Sequence, residues 1–370
     1  MKTRICKQKA DLFVVPTNSL GGAERVLQIL SKCRAEQGNQ VVVLVLCDSK
    51  AKPWKQILPN IKLVHMNCSG ELTAAFYLPI VITRLQNKYR FKYVYTSHTH
   101  INAAISFFIK LKVLRCCSHI MRESTVIIDR FNGCKLYMFQ MLYFFYGKPN
   151  LLICQTLYMQ QQLERFIPRS KKWNIIVQPN PFDIIESEKK LQEKVEYSHP
   201  IPQKYIVSVS RLIPIKGIDF LIRAFATISE QHANLYLVIA GTGPDKLQLS
   251  NLSERLGIAE KVIFLGKVDN PFPLMQKSIL GVISSLKEGF PNTLLEMMFC
   301  CKKIVSTRCA GGIEDLRCVY HCAPGSVYDL SKALQNAISK DPVDQEIFHT
   351  ELNQRKPSDY IEVIEHNLLR

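Results

Sequence analysis

No CxxC pair occurs in this chain, although it holds 13 cysteines. Thiols that are odd in number, scattered and without paired spacing argue against a disulfide framework and against a zinc finger. Cys318-Val-Tyr-His321-Cys322 has a metal-site look but lacks a second pair, and it reads as ordinary strand and loop. Long apolar runs are also missing. Ala103–Leu114 and Leu136–Tyr146 are interrupted by Lys or Gln, or fall short of the roughly 20 residues of a membrane span. The basic start Met1–Ala10 leads into Leu12-Phe-Val-Val-Pro16, too short for a signal-peptide core and better read as a first strand. These absences give a cytosolic expectation. There is no solenoid repeat and no low-complexity composition.

Acidic residues are scarce in one half only. Residues 1–180 hold 26 Lys and Arg against 8 Asp and Glu, a balance of +18, whereas residues 181–370 hold 22 against 23. The whole net charge of +17 therefore resides in the first half, a field that favours an anionic partner such as membrane lipid, a lipid pyrophosphate or nucleic acid. A generally basic soluble domain is the plainer alternative.

A length of 370 residues implies two domains, and 47% hydrophobic with 21% charged residues fits a globular protein. Apolar β-branched runs alternate with helical patterns, the mark of βαβ units and parallel sheets. The first series is Leu12–Val15, Val41–Leu46, Lys62–His65, Tyr93–Thr96, His119–Met121 and Leu151–Cys154. A helix opening at Gly22 places Val26, Leu27 and Leu30 on one face. The second series is Tyr205–Ser210, Leu235–Ala240, Lys261–Leu265, Gly281–Ser284 and Lys303–Ser306. Between them lie Gln178-Pro-Asn-Pro-Phe182, the charged Glu186–Glu196 and His199-Pro-Ile-Pro202, which read as a linker. The expected organisation is a first doubly wound domain at 1–180, a linker at 181–202, a second doubly wound domain at 203–350 and a closing helix at 351–370. A ligand cleft is expected between two such α/β domains, at the carboxyl ends of their strands.

Five stretches of residues could carry chemistry. Glu288-Gly-Phe-Pro-Asn-Thr-Leu-Leu-Glu296 runs from a strand end into a helix. Gly289 permits unusual backbone angles, Pro291 suits a first turn, and Asn292 or Thr293 can cap it. Free amides there suit a diphosphate, and Glu288 and Glu296 can accept bonds from sugar hydroxyls. The alternative is a helix-start charge at Glu288 and a solvated Glu296. Ser210-Arg211-Leu-Ile-Pro-Ile-Lys216-Gly217 supplies a planar cation and a point charge for a pyrophosphate leaving group, or simply exposed basic residues of a turn. Gly241-Thr-Gly243 lacks the third glycine of a dinucleotide loop, while Gly21-Gly22 between strand one and helix one would let a ligand approach the backbone. Finally, His98 and His100 in Thr96-Ser-His-Thr-His-Ile-Asn102 follow a strand and could touch donor or acceptor, or bond within their loop. No third ligand with metal spacing accompanies them.

Together these residues resemble family 4 retaining glycosyltransferases of the GT-B fold, especially bacterial enzymes that build O-antigen, capsule or N-glycan precursors on a lipid carrier. The resemblance rests on Ser19-Leu-Gly-Gly-Ala-Glu-Arg-Val26, Val209–Gly217, Ala240–Pro244, Leu265–Pro271, the pair Glu288 and Glu296, and Ala310–Asp315, in order over most of the chain. It implies two Rossmann-like domains facing each other across a cleft. It implies that Arg211 and Lys216 hold the donor diphosphate, Glu288 contacts the transferred sugar and Glu296 the ribose. Gly21 and Gly22 would lie against the diphosphate, Gly266 to Val268 would border the base, and Gly289, Phe290, Asn292 and Thr293 would complete the donor site. It further implies a UDP-linked hexose or N-acetylhexosamine donor and a lipid-linked glycan acceptor. No metal or other cofactor, no nucleic acid, and a peripheral position on the inner face of the cytoplasmic membrane go with it. Where many relatives place a histidine, this chain has Ile120-Met-Arg122-Glu123-Ser-Thr125, so Arg122 and Glu123 become candidates near the acceptor or the anomeric carbon. The terminal helix is expected to be short. The aromatic segment Lys135–Tyr146 could dip into a membrane interface, though a buried helix is the favoured reading. The competing functions are a nucleotide-sugar 2-epimerase of the same fold and a basic membrane- or nucleic-acid-binding module.

Overall fold

The computed structural model describes residues 7–17, 19, 21–47, 58–342 and 344–369. Leu20 of the Ser19–Val26 motif and the basic segment 1–6 lie outside them. The chain divides into two compact units, the first comprising residues 1–181 and 355–370 and the second residues 182–354.

The first unit is a seven-stranded parallel sheet. Its strands are β1 (Gln8–Thr17), β2 (Val41–Cys47), β3 (Ile61–Cys68), β4 (Tyr89–Ser97), β5 (Cys116–Arg122), β6 (Leu151–Cys154) and β7 (Ile175–Val177), in the order β3-β2-β1-β4-β5-β6-β7. β2 reads Val-Val-Val-Leu-Val-Leu-Cys and is buried throughout, as a strand covered on both faces must be. The pleat sends alternate residues to opposite sides. Phe13, Val15, Val43 and Tyr95 join one core with helix α1 (Gly22–Glu36), while Leu12, Val14, Val42 and Leu44 join another with α2 (Glu71–Lys88) and α3 (Thr99–Lys110).

The second unit repeats the plan with six strands: β8 (Tyr205–Val209), β9 (Tyr236–Ala240), β10 (Val262–Gly266), β11 (Leu280–Ile283), β12 (Ile304–Thr307) and β13 (Val319–Cys322). They are ordered β10-β9-β8-β11-β12-β13 and all pair in parallel. Each sheet has one place where the winding reverses, between β1 and β4 in the first unit and between β8 and β11 in the second. Loops leaving the carboxyl ends of two such strands diverge to opposite faces and leave a crevice, where open α/β sheets bind ligands.

The segment 181–202, expected as a linker, is folded onto the second unit. Asp183 caps the helix Ile184–Gln192 by accepting from the Glu186 amide at 2.9 Å. Phe182 is buried in that unit's core, with Ile184, Leu191 and Ile201 packed against it. The charge cluster is thus the wet face of an amphipathic element, not a spacer. Cys318–Cys322 holds strand β13, and among the described residues no group of three or more His, Cys, Asp or Glu could hold a metal ion.

The closing helix, Pro357–Leu369, belongs to the first unit, burying Tyr360, Ile361 and Ile364 in the core shared with α1. Arg34 of α1 ties it down from the interior. Its Nε lies 2.7 Å from Asp11 Oδ2 of β1 and one terminal nitrogen lies 3.0 Å from Glu365 Oε1.

Candidate functional site

In the second unit the loops after β8 and β11 meet. Gly217 adopts φ +59 and ends the β8 loop, and a Cβ there would collide with the Ser284 carbonyl, so only glycine allows this approach. Two bonds lock the loops together: Ser284 Oγ donates to the Lys216 carbonyl at 2.9 Å, and the Leu286 amide donates to the Ile215 carbonyl at 2.8 Å. The result brings Lys216 Nζ to 2.6 Å from Glu288 Oε1, which also accepts from Ser285 Oγ at 2.6 Å. The Glu288 amide donates to the Cys309 carbonyl at 2.8 Å, and Thr307 Oγ1 donates to the Ser285 carbonyl at 2.6 Å. With side chains only 17% and 16% exposed, Lys216 and Glu288 sit in a small pocket that also carries Ser208, Ser210, Ser284 and Thr293. A cation, a carboxylate and a ring of hydroxyls can grip a phosphorylated, hydroxyl-rich ligand.

The other residues singled out from the sequence fall around this pocket unevenly. Arg211 is exposed and turned to solvent beside it. Glu296 lies one turn inside the helix Asn292–Cys300 and is buried, so it is not a solvated helix residue. Gly289 is buried, and Phe290 and Asn292 are half-buried at the start of that helix. Gly266, at φ +71, ends β10, two strands away from β8, and Val268 packs on the unit's core. The pocket serines went unnoticed in the sequence. Their signal was Ser208-Val-Ser210 and Ser284-Ser285, small hydroxyls at the carboxyl ends of two strands.

In the first unit the equivalent place gathers Gly21, Gly22, Glu24 and His98. Gly21 caps α1, Gly22 is exposed, and Glu24 in the first turn folds its carboxylate back over Gly21, where a Cβ would strike it. His98 caps α3 at φ +80, and its ring lies 5.8 Å from that of His100. Burial, with His100 adding to it, lowers the His98 imidazole to about 4.

Arg122 and Glu123 were expected near a ligand, and the structure places both in the interior, only 3% and 2% exposed. Arg122, whose guanidinium burial pulls below its ordinary value, reaches Asn180 and Ser97. Glu123 Oε1 accepts from the Tyr146 hydroxyl at 2.7 Å and Oε2 from Thr99 Oγ1 at 3.3 Å. Asn102 extends the network, donating to the Arg122 carbonyl at 3.1 Å and accepting from Thr96 at 2.6 Å. These groups brace the first turn of α3 from beneath.

Burial raises the Glu123 carboxyl from 4.5 to about 7. A carboxyl whose folded value lies above its unfolded one contributes stability that is whole below about pH 4.5 and is lost as pH rises towards 7. Thermal melts at pH 5 and pH 8 should therefore show wild type losing several degrees more than Glu123→Gln across that interval. Parallel losses in the two proteins would remove Glu123 as the titrating group.

The helix Gly133–Phe144 is not the buried helix favoured from its sequence. Tyr137, Met138, Met141 and Phe144 are exposed, and only Tyr143 is buried. Phe145, just beyond it, meets Phe107 of α3 edge-on at 5.7 Å, and Leu111 extends the exposed apolar surface. Lys110, Lys112, Arg115, Lys135 and Lys148 are exposed on the same elements and the loops that follow them. Among the described residues no helix is long and apolar enough to cross a membrane.

Residues 189–351 match the family model of glycosyl transferases group 1. An uncharacterized glycosyltransferase of Methanocaldococcus jannaschii is 32% identical over 178 residues, 47% of this chain and 44% of that protein. The N-acetylgalactosamine-N,N'-diacetylbacillosaminyl-diphospho-undecaprenol 4-alpha-N-acetylgalactosaminyltransferase of Campylobacter jejuni is 32% identical over 158 residues, 43% of this chain and 41% of that enzyme. The chain thus spans less than half the length of these two relatives. Among solved structures, Anabaena HepE in complex with UDP and glucose superposes with a TM-score of 0.72 at 19% identity, covering 98% of this chain and 99% of that one. The fold is GT-B, and the match to the group 1 glycosyl transferase model falls within the second unit.

Proposed function

We propose that this group 1 domain on a GT-B fold is the donor half of a retaining glycosyltransferase. Its second unit would bind a nucleotide sugar, UDP-linked by analogy with the ligand of HepE. Its first unit would take a lipid-linked glycan, the class of acceptor named for the Campylobacter relative. The observation that carries the reading is the Lys216–Glu288 pair over the strand reversal of the second sheet, inside a hydroxyl-lined pocket.

In this reading Lys216 neutralises charge that builds on the departing phosphate, a task that needs a fixed cation in a site of low dielectric. Glu288 accepts hydrogen bonds from the sugar and keeps Lys216 oriented. Arg211, on the same loop, meets the outer phosphate as the ligand arrives. Glu296 takes the ribose hydroxyls, and the loop beyond Gly266 borders the base. The chemistry needs no metal in this scheme, because the two cations do the neutralising.

Purified protein incubated with UDP- and GDP-sugars and an undecaprenyl-diphosphate glycan should release nucleoside diphosphate and lengthen the lipid. An isomerised donor without nucleotide release would favour an epimerase instead. Salt-dependent polyanion binding with no response to nucleotide sugars would favour a simple basic module.

The exposed aromatic surface of Gly133–Phe145 and α3, bordered by lysines, suits an anionic membrane face, where rings settle at the interface and cations meet lipid phosphates. The double change Tyr137→Ser and Phe144→Ser is expected to lower binding to phosphatidylglycerol vesicles about tenfold or more in a flotation assay. Equal flotation of variant and wild type would detach the membrane from this surface.

A further inference from the structure

A lysine and a glutamate both end flexible stems, so an ion pair between them fixes neither unless a third group ties it down. For Lys216 and Glu288 that third group is Ser285. The two hydroxyls that follow β11 divide the task. Ser284 holds the Lys216 carbonyl, and Ser285 Oγ donates to Glu288 Oε1 at 2.6 Å.

Ser285 is a rigid point of reference. Its side chain turns about a single torsion, and the residue is only 3% exposed. Its carbonyl accepts from Thr307 Oγ1 of β12 at 2.6 Å, and Thr307 is itself buried. The next amide, that of Leu286, is bonded to the Ile215 carbonyl at 2.8 Å. Glu288 is therefore pinned twice, its amide by the Cys309 carbonyl and its carboxylate by Ser285.

Lys216 Nζ reaches the same carboxylate oxygen, also at 2.6 Å. Two donors occupy the two lone pairs of Oε1, while Oε2 meets no donor among the described residues. A ligand entering the pocket thus finds one acceptor oxygen whose direction is already set. Ser285 has one hydroxyl proton and gives it to Glu288, so it acts through the carboxylate and not on the ligand.

We propose that Ser285 is a positioning residue for the donor sugar. Its hydroxyl turns Glu288 so that Oε2 accepts from a single sugar hydroxyl while Oε1 keeps Lys216 in place. The role deepens the reading of Lys216 and Glu288 as donor-site residues and rests on it.

The test compares full-length wild type with Ser285→Ala, Glu288→Ala and the double variant, each checked for folding by its melting temperature. Ser285→Ala removes one oxygen and should fold. Calorimetry measures two dissociation constants for each protein. One is for the nucleotide sugar that the wild type binds best in a panel of UDP- and GDP-sugars, the other for its nucleoside diphosphate. Ser285→Ala should weaken the nucleotide sugar about fivefold or more and leave the diphosphate within about twofold. In the Glu288→Ala background the same change should alter neither by more than about twofold, since no carboxylate remains to be turned. A serine that merely supports the fold would cost the same in both backgrounds. In a transfer assay Ser285→Ala should lower kcat about tenfold.

An unchanged ratio of the two constants in Ser285→Ala, an equal change in both backgrounds, or kcat within about threefold of an active wild type overturns the positioning role and leaves the donor reading standing. The expected binding pattern without transfer in any protein upholds the role and overturns the transferase reading. A wild type that binds no nucleotide sugar overturns both.

Discussion

Lys216→Ala is expected to cut kcat/KM for sugar transfer by about 10²–10³-fold, the usual cost of deleting one preorganised group that meets charge developing in a transition state. The lysine is well placed for so large an effect. Its Nζ is fixed 2.6 Å from Glu288, and both side chains are largely buried. The carbonyl of the same residue is bonded to Ser284, so its loop does not depend on the side chain, and the fold should survive. Lys216→Arg should not restore activity, because a planar fork cannot replace a compact ammonium in a pocket this small. Glu288→Gln keeps the Ser285 contact but loses the charge that orients Lys216, so kcat should fall together with kcat/KM. Steady-state kinetics on folded variants settles the matter, and values within about threefold of wild type for both would remove the pair from the chemistry.

The second large effect concerns stability. Arg34→Met should lower the first unit's stability by about 3–5 kcal/mol, as expected when one partner of a buried ion pair is removed. Asp11 would then be a buried carboxylate without its cation. Even with Arg34 at 2.7 Å, burial already pushes the Asp11 carboxyl above its ordinary value. In a unit of this size the melting temperature should fall by roughly 10 °C. Asp11→Leu combined with Arg34→Met should recover most of the loss, because two apolar groups leave nothing uncompensated. Glu365→Ala should cost about 1 kcal/mol or less, since that carboxylate is over a third exposed. A double variant as unstable as the single one would show that the charges themselves, and not their imbalance, hold the site.

The strands that could be read from sequence were those with continuous buried β-branched runs, such as β2, because burial on both faces leaves a local signature. β7 escaped notice for the opposite reason: at three residues its run is too short to stand out from a loop. The helix Ile184–Gln192 hid behind its charges, which outnumber the apolar residues it buries. Lys216 and Glu288 were each legible as motif members. Their contact across 72 residues depends on which strands lie side by side. Arg122 and Glu123 were legible as unusual residues but not as interior ones. Their partners Asn180 and Tyr146 come from distant segments, and no local pattern announces that a charge will be enclosed.

The closing helix joins the first unit only after the whole second unit, residues 182–354, has been made. At about 5–20 residues per second of synthesis, that interval is on the order of ten to thirty seconds. Throughout it the nascent first unit lacks Tyr360, Ile361 and Ile364, and Arg34 lacks Glu365. Until residues 355–370 are made, the apolar side chains of α1 that Tyr360, Ile361 and Ile364 cover have no such cover.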